Sequence, residues 1–215
     1  MTEPGSRHVW SPSEVADAVG PAANLRNYLE QRDVRRCLAR AATLRPIRRA
    51  ADVGCGYGRL TMVLTEVAGE VVGFEREGAF VEEAARLLPS VRFTRVDSLG
   101  ALPRPAGSVD FAMTFTVLQH IRDPEARQAL SEVKRIADGG VVLLTEETDP
   151  ALADGGSDAS ASPNAGRTIG RPEAVYAEWM KPFELVLRFP REIEPGYPRK
   201  NVGTYMLFAA SPGAR

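Results

Sequence analysis

The chain has 215 residues, 44% of them apolar, and its 27 Lys and Arg against 28 Asp and Glu leave a formal net charge of −1. That length bounds it to one well-packed domain with an appendage, and so even a charge balance supplies no global field to recruit nucleic acid or an anionic membrane. Cys37 and Cys55 are too few for a disulfide framework, no apolar run nears the roughly 20 residues of a membrane span, and the N-terminus is polar; the expectation is a cytoplasmic protein.

In chain order, the first dozen residues read as turns. From Ser13 to about Leu44 apolar residues recur near helical spacing, with Leu25, Tyr28, Leu29, Leu38 and Ala41 on the predicted stripe. Pro46 ends this segment, and residues 1–46 are expected to form an N-terminal helical lid on a domain spanning 47–215. Strands and helices then alternate: strand Ile47 to Val53, helix Arg59 to Val67, strand Glu70 to Glu75, helix Ala79 to Leu88, strand Val91 to Val96, strand Ser108 to Thr114. The next helix carries the strongest signals, with Asp123 as N-cap, Pro124 in the first turn, a stripe of Ala126, Ala129, Leu130, Val133 and Ile136, and Gly139-Gly140 as the stop. Val141 to Thr145 is a buried strand by composition. The stretch from Thr148 to Arg171, rich in Asp, Gly, Ser, Ala and Pro, reads as a long mobile loop. A short helix, Pro172 to Met180, precedes two strands, Phe183 to Phe189 and Thr204 to Ala210, with no helix between them.

The alternation predicts a parallel sheet covered on both faces, and the last two strands predict an antiparallel hairpin. The run Ala51-Asp52-Val53-Gly54-Cys55-Gly56-Tyr57-Gly58-Arg59 sits where the first strand turns into a helix. Glycines there let the chain turn tightly and let a ligand lie against bare backbone. A dinucleotide fingerprint needs glycine or alanine where Arg59 stands, which counts against a nucleotide-dependent oxidoreductase. The run instead resembles motif I of the class I S-adenosylmethionine-dependent methyltransferases of small-molecule type, and the resemblance covers about Ile47 to Ala210.

That resemblance implies an α/β, Rossmann-like, doubly wound sheet of seven strands, mostly parallel, ending in the hairpin. It implies S-adenosylmethionine as cofactor and a small-molecule methyl acceptor as partner, with no nucleic acid or membrane partner. Gly54, Gly56 and Gly58 would pass under the methionine and ribose, and Asp52 would meet the ammonium group. Glu75, about 20 residues beyond the first glycine, stands at the interval of a ribose-binding acid. Asp97 would accept from the adenine amino group and Ser98 would offer its main-chain N–H. Thr114 and Phe115 close the fourth strand against the donor. The following Thr116-Val117-Leu118-Gln119-His120-Ile121 resembles the floor of the transfer site in that family.

His120, one of only two histidines, is the candidate general base. Its rival role is a mere contact, because alignment alone supplies much of the rate. Glu146, with Glu147 and Asp149, is expected at the mouth of the site as an alternative base or a lure for a cationic acceptor. Thr116 and Gln119 stand where one group of these enzymes carries metal-binding glutamates, so no metal is expected. A catalytically silent, donor-binding scaffold subunit is the alternative outside the enzymes.

Overall fold

The computed structural model describes residues 21–152, 168–192 and 203–210. Helix α1 (Pro21–Leu44) leads into strand β1 (Arg49–Val53), a single-turn α2 (Thr61–Leu64), β2 (Glu70–Glu75), α3 (Gly78–Leu87), β3 (Arg92–Arg95) and β4 (Phe111–Phe115). A 3-10 turn (Leu118–His120) connects to α4 (Asp123–Ile136) and β5 (Val141–Glu146); α5 (Glu173–Met180), β6 (Phe183–Pro190) and β7 (Thr204–Ala210) complete the order. The seven strands lie β3-β2-β1-β4-β5-β7-β6. The first five are parallel, and β7 runs antiparallel between β5 and β6. The order reverses between β1 and β4, so the carboxyl ends of these strands border the switch point where such sheets bind ligands.

Both faces of the sheet are buried, and the period-2 alternation sends neighbouring side chains to opposite cores. Ala112, Val142, Leu144, Met206 and Phe208 meet the α4 stripe (Ala126, Ala129, Leu130, Val133, Ile136) together with Tyr176, Trp179 and Met180 of α5. Phe111, Met113, Phe115, Val141, Leu143, Tyr205 and Leu207 meet Val34, Cys37, Leu38 and Ala41 of α1 and Val63 and Leu64 of α2. No helix among the described residues is long and apolar enough to cross a membrane.

Several expectations change here. The C-terminal half of α1 is part of the second core. Of the predicted α1 stripe only Leu38 and Ala41 are deeply buried, whereas Tyr28 is 63% exposed and Leu25 is 41% exposed. The core contacts of α1 begin at Val34, beyond the point where a stripe started from Leu25 would place them. Asp123 is the first residue of α4, not its cap; the cap position is Arg122, and no side chain bonds the turn. The segments 13–20 and 153–167, which carry the start of the predicted first helix and most of the predicted loop, lie outside the described residues, as does Trp10.

Candidate active site

The turn after β1 begins with Gly54 at φ +79 and continues through Gly56 at φ +52 and Gly58 at φ +85. The three glycines serve different needs. A Cβ on Gly54 would lie 2.4 Å from Val117 Cγ2, so this glycine lets the turn touch the segment that follows β4. A Cβ on Gly58 would press at 3.2 Å on Leu88 and Phe93, which is packing beneath the turn. Gly56 has nothing within 4 Å of the same position and presents bare backbone to open space.

Glu75 closes β2 directly beside it. One carboxylate oxygen accepts from the Gly56 N–H at 2.9 Å, and the other accepts from the N–H groups of Arg76 at 2.6 Å and Glu77 at 3.2 Å. The carboxylate therefore fastens the glycine turn to the β2 exit. Each oxygen has two lone pairs, so acceptor capacity is left toward the open side of Gly56. Beyond β3, Asp97, Ser98, Leu99 and Gly100 line a cleft with Arg76 and Ile121. Asp97 and Ser98 are exposed, and the Ser98 hydroxyl accepts from the Gly100 N–H at 3.1 Å, holding a tight turn.

Asp52 lies at the far end of this row and is buried, at 2% exposure. The Thr61 hydroxyl donates to its Oδ2 at 2.6 Å. Burial pushes the carboxyl up to about 7, with Glu75 adding to the rise and Thr61 and Arg59 opposing it.

The side chains of Thr114 and Phe115 are buried and engaged within the protein. The Thr114 hydroxyl donates to Glu146 Oε1 at 2.8 Å. The Phe115 ring packs edge-on to Tyr205, with the guanidiniums of Arg59 and Arg191 5.7 Å and 5.3 Å from its centroid. Both arginines also pair with Glu30, which is 1% exposed, Arg59 at 2.6 Å. Burial raises the Glu30 carboxyl, but the two cations more than offset it and hold it below the ordinary value. This ion triad ties α1 and the β6 exit to the glycine turn, and no sequence spacing pointed to it.

Glu146 is a correction. It does not stand at the mouth of the site but is 1% exposed, as the last residue of β5. Its carboxylate accepts from the Thr114 hydroxyl, from the Val117 N–H at 3.3 Å and from the Gln119 N–H at 3.1 Å. Burial raises its pKa, opposed by these donors. Between the anchored residues Thr116 adopts φ +53, a costly left-handed conformation for a β-branched residue, held by its N–H donating to Thr145 O at 2.7 Å. Glu146 thus holds the turn after β4. Glu147 is also buried, with Oε1 accepting from the Thr148 and Asp149 N–H groups; only Asp149 of the trio is half-exposed.

Arg171 was missed by sequence reasoning. It is 3% exposed and donates to Leu118 O at 2.7 Å, to Ile121 O at 2.6 Å and to Asp123 Oδ1 at 2.8 Å, with its guanidinium 5.5 Å from the Trp179 ring centroid. It supplies a donor to Ile121 O and a second one to Leu118 O, which also accepts from the Ile121 N–H at 3.3 Å. The only sequence signal was a lone Arg before Pro172 at the end of a polar stretch. The ends of that stretch meet beside it: Ile169 N–H donates to Gln119 O and Arg171 N–H to Glu147 O. His120 is half-buried next to Gln119 in this turn.

Residues 50–140 match a family described as a methyltransferase domain. A Mycolicibacterium smegmatis protein named as a probable S-adenosylmethionine-dependent methyltransferase is 29% identical over 134 residues, covering 62% of this chain and 51% of that protein. The chain spans about half or less of the length of the curated relatives it matches. Among solved structures, a Synechocystis magnesium protoporphyrin IX methyltransferase with bound S-adenosylmethionine aligns at TM-score 0.68 and 17% identity, over 93% of this chain and 90% of that one. A Bradyrhizobium japonicum N-methyltransferase in complex with S-adenosyl-L-homocysteine aligns at TM-score 0.65 and 14% identity, over 90% and 89%. Glycine turn, strand order and family match agree: residues 50–140 match a methyltransferase domain, set in the Rossmann-like fold of the S-adenosylmethionine-dependent methyltransferases that the chain resembles.

Proposed function

We propose that this chain binds S-adenosylmethionine along the carboxyl ends of β1 to β3 and transfers its methyl group to an oxygen or nitrogen of a small molecule. The observation that carries the reading is Gly56, whose bare backbone faces open space with Glu75 fastened beside it. Asp52 meets the ammonium group, Glu75 accepts from the ribose hydroxyls, and the Asp97–Ser98 cleft takes the adenine. When bound, the donor supplies a methyl on a cationic sulfonium: the acceptor's lone pair forms the new bond, the carbon–sulfur pair leaves with S-adenosylhomocysteine, and the acceptor's proton passes to solvent. Thr116 and the turn through His120 set the angle of approach, and Glu146 and Arg171 hold that turn in place. Alignment of this kind supplies a large part of a transfer rate. A small acceptor is favoured by the segment after β4, by one similar fold being that of a magnesium protoporphyrin IX methyltransferase, and by a charge balance that offers no broad basic field.

Calorimetry should find both S-adenosylmethionine and S-adenosylhomocysteine binding in the micromolar range, roughly −8 kcal/mol. Folded protein that takes up neither ends the reading. Turnover is then sought with a panel of hydroxyl and amine metabolites, where tight donor binding without any product would favour the silent scaffold.

Asp52 makes the affinity depend on pH. With its carboxyl near 7 in the ligand-free protein, the ammonium group must displace a proton below that value. Affinity for S-adenosylhomocysteine should therefore rise between about pH 6 and 8, with proton release on binding seen as a buffer-dependent heat. A flat profile over that range would mean the ammonium is held elsewhere. The ligand-free fold responds in the opposite sense. Its raised Asp52 pKa contributes stability that is present below the unfolded value near 4 and is lost as pH rises through about 7.

A further inference from the structure

The side-chain amide of Gln119 has only one workable orientation. It is 8% exposed, and its Oε1 accepts from the Glu147 N–H at 2.9 Å. Rotating the amide by half a turn would set its NH2 group against that N–H, donor against donor, in a buried place where a lost partner is costly. The main chain around the amide is held as firmly: the Gln119 N–H donates to Glu146 Oε2 at 3.1 Å, and its carbonyl accepts from the Ile169 N–H at 2.8 Å. The NH2 group is therefore committed to its other neighbour, His120 Nε2, at 3.3 Å.

An amide NH2 can only donate, so His120 Nε2 must accept, and the proton of the neutral ring must sit on Nδ1. We propose that Gln119 is a positioning residue that locks His120 as its neutral Nδ1–H tautomer, so that the ring serves the site as a hydrogen-bond donor and not as a proton acceptor. This rests on reading the turn after β4 as the floor of the transfer site. The lone pair a base would use is the one on Nε2, and Gln119 caps it. A proton added there would face the NH2 group, and the amide cannot turn to receive it without orphaning the Glu147 N–H. The acceptor class that suits such a floor needs no proton removed by this imidazole: an amine with its lone pair available, or an oxygen that arrives ionised, steadied by an N–H donor.

The test is the tautomer itself, read from two-bond nitrogen–proton correlations on the full chain labelled with ¹⁵N-histidine. The pattern distinguishes Nδ1–H, Nε2–H and imidazolium forms. His8 is the other histidine, and a His8→Gln variant assigns the signals. Wild-type protein at pH 7 should show His120 as the Nδ1–H form. Gln119→Glu is isosteric, and its carboxylate can accept from both Glu147 N–H and His120; the ring should then change to Nε2–H or to imidazolium. A wild-type ring in the Nε2–H or imidazolium form overturns the proposal, and so does a Gln119→Glu ring that stays Nδ1–H. If Gln119→Glu fails to fold, the wild-type spectrum still decides, and Gln119→Ala, which removes the cap, should give a mixture of tautomers. Neither readout requires turnover, so a failed tautomer test and a failed calorimetric test of donor binding are separate results.

Discussion

Arg171→Ala should destabilise the protein by about 3–4 kcal/mol, lowering the melting temperature by roughly 10 °C in a chain of this size. Its guanidinium makes charge-assisted hydrogen bonds to two carbonyls, Leu118 O and Ile121 O, from a position that is 3% exposed. Such bonds are worth about 1.5–3 kcal/mol each and add incompletely. Asp123 contributes little, because its side chain is 58% exposed and exposed ion pairs are weak. Removing the arginine takes the donor from Ile121 O and leaves Leu118 O with only the longer bond from the Ile121 N–H, and it opens a buried gap beneath the turn after β4. Arg171→Lys keeps the charge but not the planar fork that spans Leu118, Ile121 and Asp123, so it should recover less than half of the loss. Thermal unfolding followed by circular dichroism checks both variants, and an Arg171→Ala midpoint within 2 °C of wild type would contradict this account.

Gly56→Leu should weaken S-adenosylhomocysteine binding by at least about 100-fold, which is close to 3 kcal/mol, while costing the fold only about 1–2 kcal/mol for a side chain in the left-handed region. The two effects separate because nothing lies within 4 Å of a Cβ at Gly56, so the new side chain starts into open space. It fills instead the space proposed for the donor. Gly54→Ala is the counterpart. There the added methyl meets Val117 at 2.4 Å in an equally left-handed backbone, and stability should fall further than at Gly56 for a smaller change in side-chain size. Calorimetry and thermal unfolding on the two variants together decide the matter. A Gly56→Leu protein that binds S-adenosylhomocysteine as tightly as wild type would place the ligand elsewhere on the molecule.

Much of this site is legible in the amino-acid order because it is local. Asp52 lies near the end of β1 just ahead of Gly54, Gly56 and Gly58 in the turn that follows, Glu75 ends the next strand, and Asp97 and Ser98 follow the one after. In a parallel sheet the carboxyl ends of successive strands come together, so an acid at each end is brought to one edge by topology alone. The alternation of strands and helices, the α4 stripe and the terminal hairpin were readable for the same reason: periodicity within a segment reports which face it buries.

The roles of the remaining residues were decided only by the tertiary structure. Glu146 looked like a solvated acid at a strand end, yet the turn after β4 folds over it and surrounds it with three donors. Arg171 lies 50 residues from Ile121, whose carbonyl it satisfies, and Glu30 lies 161 residues from Arg191. No spacing rule reaches across such intervals, since these partners meet only when separate elements pack. The glycines make the same point within a single motif. Sequence supplied three positions able to adopt φ above zero, and packing assigned Gly54 to Val117, Gly58 to Phe93 and Leu88, and left Gly56 facing open space. A residue's backbone freedom is an intrinsic property of the chain, whereas which atoms press against it is a property of the assembled fold.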